Sequence, residues 1–225
     1  MSATRSVPGS GFLTSTIGKK IVMATTGIVL FGFVLGHMAG NLQLYLGAGA
    51  LNAYSIWLRE FLHGAGLWIA RAVLLACVAL HVWAAASLTV VDRAARPVGY
   101  REWEPRESTY ASRTMRWSGV FLLAFVIYHL LDLTFGVVNP HFVPGDVYHN
   151  VIASFRVVPV SLLYIAAMLL LWLHLRHGVW SMLRTLGLAH PRYEALAHRA
   201  AAAFATLVVA GNVSFPLAVL LGVVK

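Results

Sequence analysis

Long uncharged apolar runs alternate with short, basic stretches along the chain. A helix crossing the ~30 Å hydrocarbon layer of a bilayer needs about 20 mostly apolar residues, and five stretches reach that length. The first runs from about Ile21 to Leu46 without a charge, and the second from about Leu67 to Val91 with Arg71 near its start. The third covers about Trp117 to Val138 and contains Asp132. The fourth covers about Val157 to Leu186, with Arg176 and Arg184 toward its end, and the fifth about Ala200 to Val224, with Pro216 inside it. Membrane helices tolerate such a proline when neighbouring groups satisfy the freed carbonyl. The pattern predicts an all-α membrane protein, a single domain of five transmembrane helices over residues 1–225.

Two of the connections carry structure of their own. Asn52 to His63 (NAYSIWLREFLH) has apolar residues at roughly helical spacing beside Arg59 and Glu60, which predicts a short interfacial helix. Asn139 to Asn150 (NPHFVPGDVYHN) is rich in Pro, Gly and Asn and reads as an ordered turn region.

Composition agrees with the spans. Hydrophobic residues make up 59% of the chain and charged residues 11%, too little charge for the surface of a soluble domain. The net charge of +9 would suit nucleic acid in another context, but its distribution fits basic loops on one side of a membrane. With the N-terminus inside, Arg5, Lys19, Lys20, Arg93, Arg96, Arg101, Arg106, Arg113, Arg116, Arg176, Arg184, Arg192 and Arg199 all fall on the inner side. That is thirteen of the seventeen basic residues, leaving Arg59, Arg71, Arg156 and Lys225 outside. The bias predicts a cytoplasmic N-terminus and an external C-terminus. No cleaved signal peptide is expected, because residues 1–18 hold no apolar core. Cys77 is the single cysteine, which excludes a disulfide framework and a C-x-x-C-H site for covalent haem.

The candidate chemistry lies in the histidines. Of ten, His37, His81, His129 and His174 sit well inside spans, one on each of the first four, and His177 follows one turn after His174. Polar side chains at such depth are costly and mark functional positions; the plainer reading of any one of them is a hydrogen bond to a neighbouring helix. Depth separates the four into two levels. At ~1.5 Å of rise per residue, His37 lies roughly 25 Å beyond Lys20 and His129 roughly 20 Å beyond Arg116, both in the outer half. His81 lies roughly 18 Å from Arg93 and His174 roughly 15 Å from Arg184, nearer the inner edge. The expected couples are therefore His37 with His129 and His81 with His174. Two histidines facing each other across a bundle form a low-spin b-type haem site, suited to electron transfer because both axial positions are filled. Gly32, Gly36 and Gly40 recur every four residues beside His37. They admit a macrocycle close to the backbone, or equally a small-residue helix-packing stripe. Zinc is a weaker reading of the same residues, since a structural site wants cysteines or a tighter cluster. A proton relay wants buried acids, and Asp132 alone lies within a span.

These features resemble one family across nearly the whole chain: the dihaem cytochrome b subunit of bacterial succinate dehydrogenases and fumarate reductases. The resemblance rests on GHMAGNLQLY around His37, SRTMRWSGVFLLAFVIYHLLDLTFG around His129, LHLRHGVWSMLRTLG around His174 and NVSFPLAVLLG near the C-terminus. ALHVWAAASL around His81 is the least distinctive match. It implies a five-helix anchor in the bacterial cytoplasmic membrane, with no succinate site of its own. The anchor would carry electrons through two haems b between an iron–sulfur subunit and a quinone, menaquinone in the relatives that use an acid near the outer haem. It further implies a flavoprotein subunit with FAD beside the iron–sulfur subunit on the cytoplasmic face, and pairing of two such complexes. The family's axial ligands fall on His37 and His129 for the outer haem and on His81 and His174 for the inner one. Gly36 and His177 then belong to the haem surroundings, His177 as a propionate or structural hydrogen-bond partner.

Quinone chemistry needs a group that exchanges protons, and Glu60, His63 and Asp132 are the candidates near the outer haem. Glu60 corresponds to the region of the acid in menaquinone-using relatives, and otherwise reads as a solvated charge paired with Arg59. Asp132 either meets the quinone or orients a histidine or an arginine by hydrogen bonds. Where some fumarate-reducing relatives carry a glutamate two residues before the fourth-helix ligand, this chain has Trp172, so a transmembrane proton path of that kind is not expected. The competing functions are a dihaem anchor of another respiratory dehydrogenase and a histidine-bearing proton transporter.

Overall fold

The computed structural model describes residues 11–95 and 110–225, with the side chains of residues 110–113 left aside. Arg5, Arg96, Arg101, Arg106 and Arg113, on which part of the orientation argument rests, therefore lie outside the described residues or side chains. Seven α-helices are present among the described residues: α1 (Thr16–Asn41), α2 (Ala48–Glu60), α3 (Ala65–Ala94), α4 (Tyr110–His129), α5 (Val147–Phe155), α6 (Val158–Thr185) and α7 (Glu194–Leu220). Among the described residues five segments are long and apolar enough to cross a membrane: Thr16–Leu46, Ala65–Ala94, Thr114–Thr134, Val158–Thr185 and Pro191–Leu220.

Local chemistry sets where these helices begin and end. Ser15 caps α1 by accepting from the Gly18 amide at 2.9 Å, so the helix starts a turn earlier than hydropathy alone indicates. A Cβ at position 18 would collide with the Phe12 carbonyl, and only glycine lets the preceding turn fold back there. Thr25 and Thr26 hide their hydroxyls on the carbonyls of Ile21 and Val22, which makes them tolerable in an apolar span. Pro159 sits in the first turn of α6, where no intrahelical N–H is lost. Helix α4 passes directly into a π-turn over Leu130–Thr134, with the Phe135 amide bonding to the Leu130 carbonyl at 2.9 Å.

The short helix expected over Asn52 to His63 is α2, which starts four residues earlier and ends at Glu60. The region read as an ordered turn is ordered, and for a visible reason: Asn150 grips both the amide and the carbonyl of Val143, and Asn139 donates to the Asn150 carbonyl. Its last four residues differ from the expectation, because Asp146 caps the His149 amide and starts α5 at Val147.

Helices α1 and α3 pack together, α4 packs on α6, and α6 packs on α7. Comparable packing is missing between α1 and α4 and between α3 and α6, so the bundle has two faces that are held apart along part of their length. At one end α2 meets α5: the Asn52 amide donates to Asp146 at 2.9 Å and its carbonyl oxygen accepts from the Tyr148 amide at 3.0 Å. Tyr148 reaches the Lys225 carbonyl at the same end. At the other end Arg116 of α4 bonds to Asp92 of α3 at 2.9 Å, the one ion pair among the described residues.

Candidate functional site

The four intramembrane histidines meet in two couples. The ring centres of His37 and His129 lie 5.8 Å apart with their planes at 90°. Those of His81 and His174 lie 6.4 Å apart at 54°. Two imidazoles sharing one iron, each with a metal–nitrogen bond of about 2 Å, would put their ring centres roughly 6.3 Å apart. Both couples are within reach of that value, the second almost without adjustment. Each couple also joins helices that are not packed directly on one another, α1 with α4 and α3 with α6.

The couples occupy two levels. His81 points at the stretch of α1 around Met23, Thr26 and Gly27, and its ring lies 3.6 Å from where a Cβ on Gly27 would stand. His174 points at Ser118 and Gly119 of α4. His37 follows Gly27 by ten positions, His129 follows Gly119 by ten, and His174 follows Tyr164, the partner of His129, by ten. Three helices thus give the same separation, ~15 Å at 1.5 Å per residue. This is the two-level arrangement that depth along the sequence predicts.

Hydrogen bonds orient three of the four rings. His81 Nδ1 donates to the Met23 carbonyl at 3.1 Å, with Thr26 Oγ1 at 3.2 Å. His174 Nδ1 meets Ser118 Oγ at 3.3 Å, and His129 Nδ1 meets the Tyr164 hydroxyl at 3.3 Å. A proton held on Nδ1 leaves the Nε2 lone pair free for a metal, the usual division of labour in ligand histidines. His37 is different, because its Nε2 accepts from the Asn41 amide at 3.2 Å, so ligation there requires that contact to be exchanged.

The glycines resolve into two roles. At Gly32 and Gly36 an added Cβ would meet nothing within 4 Å, so no helix packs on that part of the stripe and open space borders it beside His37. At Gly40 a Cβ would stand 2.6 Å from the Tyr54 hydroxyl, so this third glycine serves packing against α2. The paired donors and their spacing fit a haem b at each level, and the open space beside Gly32 and Gly36 adjoins the outer couple. Among the described residues no group of three or more His, Cys, Asp or Glu is placed to hold a metal ion, so the ligands present come in pairs rather than as a zinc-type cluster.

The remaining candidates fall around these couples. His177 lies off the couple formed by His174, beside Trp180 at 5.9 Å, and Trp180 in turn stacks on His198 at 4.5 Å under the Arg184 guanidinium. Trp172 donates to Thr206 of α7 at 2.9 Å. Glu60 ends α2 and is exposed, with no ion pair to Arg59. His63 is exposed in a turn in which Leu62, His63 and Gly64 all have left-handed backbone angles. Asp132 is only 2% exposed and accepts the hydroxyls of Ser154 at 2.6 Å and Tyr164 at 2.8 Å. It is closed in by α5 and α6 and bonded to the same Tyr164 hydroxyl that meets His129 Nδ1. Ser118, Ser154 and Tyr164 were not singled out by the sequence; a hydroxyl on one helix facing a histidine on another leaves no local spacing signal.

These features define an all-helical, multi-pass membrane protein built around two levels of facing histidines. The profile of the succinate dehydrogenase/fumarate reductase transmembrane subunit matches residues 93–213, more than half of the chain, and the protein belongs to that family. It is a membrane-anchor subunit of the succinate dehydrogenase/fumarate reductase type. The match includes His129, Asp132, Tyr164 and His174 but does not reach Glu60, nor His37 and His81, which the geometry sets opposite His129 and His174. No curated protein and no solved structure matches the chain.

Proposed function

We propose that this anchor holds two haems b and passes electrons between an iron–sulfur subunit and a quinone, menaquinone by the position of Glu60. The observation that carries the reading is the pair of imidazole couples at 5.8 and 6.4 Å, set on two levels of a family member's bundle. Held between His37 and His129, or between His81 and His174, each haem would supply a one-electron carrier. The chain's own part is to fix the imidazoles: Met23 with Thr26, Ser118 and Tyr164 hold the Nδ1 protons of His81, His174 and His129. The space beside Gly32 and Gly36 admits the outer macrocycle, and the apolar helices keep water from both.

In this reading the chain spans a bacterial cytoplasmic membrane with its N-terminus inside. The basic Arg116 end receives the iron–sulfur subunit, and a flavoprotein with FAD beyond it handles succinate and fumarate. The α2/α5 end faces outward and carries Glu60, exposed and without an ion-pair partner among the described residues, as the group that exchanges protons with the quinone. The test is a reduced-minus-oxidised optical spectrum of the purified complex together with its haem-to-chain ratio. A b-type spectrum at two haems per chain, with succinate-driven quinone reduction weakened by Glu60→Gln, is the expected result. A complex that carries no b-type haem overturns the proposal.

A further inference from the structure

The hydrogen-bond chains behind the ligand histidines do not end alike. Behind His81, Nδ1 meets the Met23 carbonyl and Thr26 Oγ1, and Thr26 bonds onward to the Val22 carbonyl at 2.7 Å. Behind His174, Ser118 bonds onward to the Met115 carbonyl at 3.0 Å. Both chains terminate on neutral peptide groups of a neighbouring helix. Behind His129 the chain runs through the Tyr164 hydroxyl, which accepts from Nδ1 and donates at 2.8 Å to Asp132 Oδ2. This one ends on a carboxyl group, on the same oxygen that accepts Ser154 at 2.6 Å.

The arrangement is rigid. Asp132 is 2% exposed, Ser154 3% and Tyr164 6%. The Tyr164 ring is wedged edge-on between Phe125 at 5.0 Å and Phe155 at 4.9 Å. Asp132 follows His129 by three positions across the junction between α4 and the π-turn, so one short segment presents both the ligand and the end of its hydrogen-bond chain. A partly buried path of this kind excludes water that would otherwise level the difference between a carboxyl and a carbonyl acceptor.

We propose that Asp132, acting through Tyr164, is a positioning residue that makes His129 the most electron-donating of the histidines and lowers the reduction potential of the outer haem. The inference rests on the haem assignment above and goes beyond it by giving the two levels different potentials from a named cause. A stronger acceptor behind Tyr164 draws the Nδ1 proton of His129 toward the tyrosine oxygen. That increases the basicity of Nε2 and favours the more highly charged iron. Replacing Asp132 by Asn, or removing the Tyr164 hydroxyl, takes this bias away.

The experiment is a potentiometric titration of the complete complex, followed optically and by the low-spin ferric resonance signal. The outer haem is identified as the one missing from His37→Ala. Asp132→Asn and Tyr164→Phe are each expected to favour the reduced outer haem by about tenfold, an upward shift of about 59 mV for one electron. The double variant should shift no further than the larger single one, because both act on one chain. The inner haem should stay where it was, and Ser118→Ala should move the inner haem alone. An outer haem that is retained but unshifted in Tyr164→Phe overturns the proposal, as does an equal shift of both haems. Tyr164→Phe removes one hydroxyl from a packed ring and carries the test even if Asp132→Asn fails to assemble. Absence of haem from the unmodified complex is a different outcome, which removes the functional reading itself.

Discussion

Deleting the histidines one and two at a time should follow a pairing rule set by the geometry. The couples are separated by ten residues on each of α1, α4 and α6, ~15 Å along the helix axes. Effects at sites more than about 7–10 Å apart, with no shared partner, combine additively. Losing one imidazole would leave a haem at that level with one histidine to hold it, while the other couple keeps its own hydrogen bonds to Met23 and Ser118, or to Tyr164. Each of His37→Ala, His81→Ala, His129→Ala and His174→Ala should therefore bring the haem content from two per chain to one. The doubles within a couple, such as His81→Ala with His174→Ala, should still carry one. The doubles across couples, such as His81→Ala with His129→Ala, should carry none. The assay is haem extraction and quantification against protein in the detergent-solubilised complex, with span content checked by circular dichroism. If a cross-couple double keeps one haem and a within-couple double keeps none, the pairing is wrong. If His177→Ala loses a haem while His174→Ala keeps two, the fourth ligand lies one turn further along α6.

Two glycine variants separate packing from cofactor space, and two others probe the contact between α2 and α5. Gly36→Leu should deplete the outer haem with little effect on assembly of the helices, since its Cβ faces open space, whereas Gly40→Ala should lower thermal stability by about 1–3 kcal/mol by pressing on Tyr54; heat denaturation and haem content together distinguish the two. Asn52→Ala strips the Asp146 carboxylate and the Tyr148 amide of a partner at once and should cost about 1–3 kcal/mol, read from thermal unfolding in detergent. The His149 amide, and next the Asn52 side chain, hold the Asp146 carboxyl below its ordinary value of 3.8. A lowered carboxyl contributes stability that is present above that value and lost as pH falls through the folded one. Acid unfolding below about pH 4 should therefore lose one proton-linked component in Asp146→Asn, and an unchanged pH profile would refute that linkage.

Much of this fold is legible in the residues because a bilayer leaves few alternatives. With no water to satisfy a backbone, an apolar run of the right length becomes a helix, and each of the five runs does so, although α1, α4 and α7 start five, seven and six residues ahead of the hydropathic limit. The departures have local causes that hydropathy does not weigh. The hydroxyl of Ser15 extends α1 backward to Thr16. Asp146 starts a helix inside a segment dominated by Pro, Gly and Asn, where the stronger turn signals conceal one capping carboxylate. The π-turn after His129 has no counterpart in a period-counting argument, and the hydrogen bonds of its Asp132 go to Ser154 of α5 and Tyr164 of α6.

The site divides along the same line. Depth is a one-dimensional quantity, so counting from Lys20, Arg93, Arg116 and Arg184 is enough to sort four histidines into two levels. What holds them is three-dimensional. Thr26, Ser118 and Tyr164 are 55, 56 and 35 positions from the histidines they bond, and nothing in their own neighbourhoods marks them. Asp132 shows what that difference costs. As an acid inside a span it is conspicuous, and its closeness to His129 in sequence makes direct chemistry with a quinone an attractive reading. Yet burial to 2%, with two hydroxyls donating to one oxygen, leaves it no surface at which to meet a substrate. An acid buried in a membrane carries functional meaning either by reaching substrate or by biasing a group that does. Here the hydroxyl of Tyr164, placed by α6, links Asp132 to His129, and the potential of the outer haem in Tyr164→Phe tests the second.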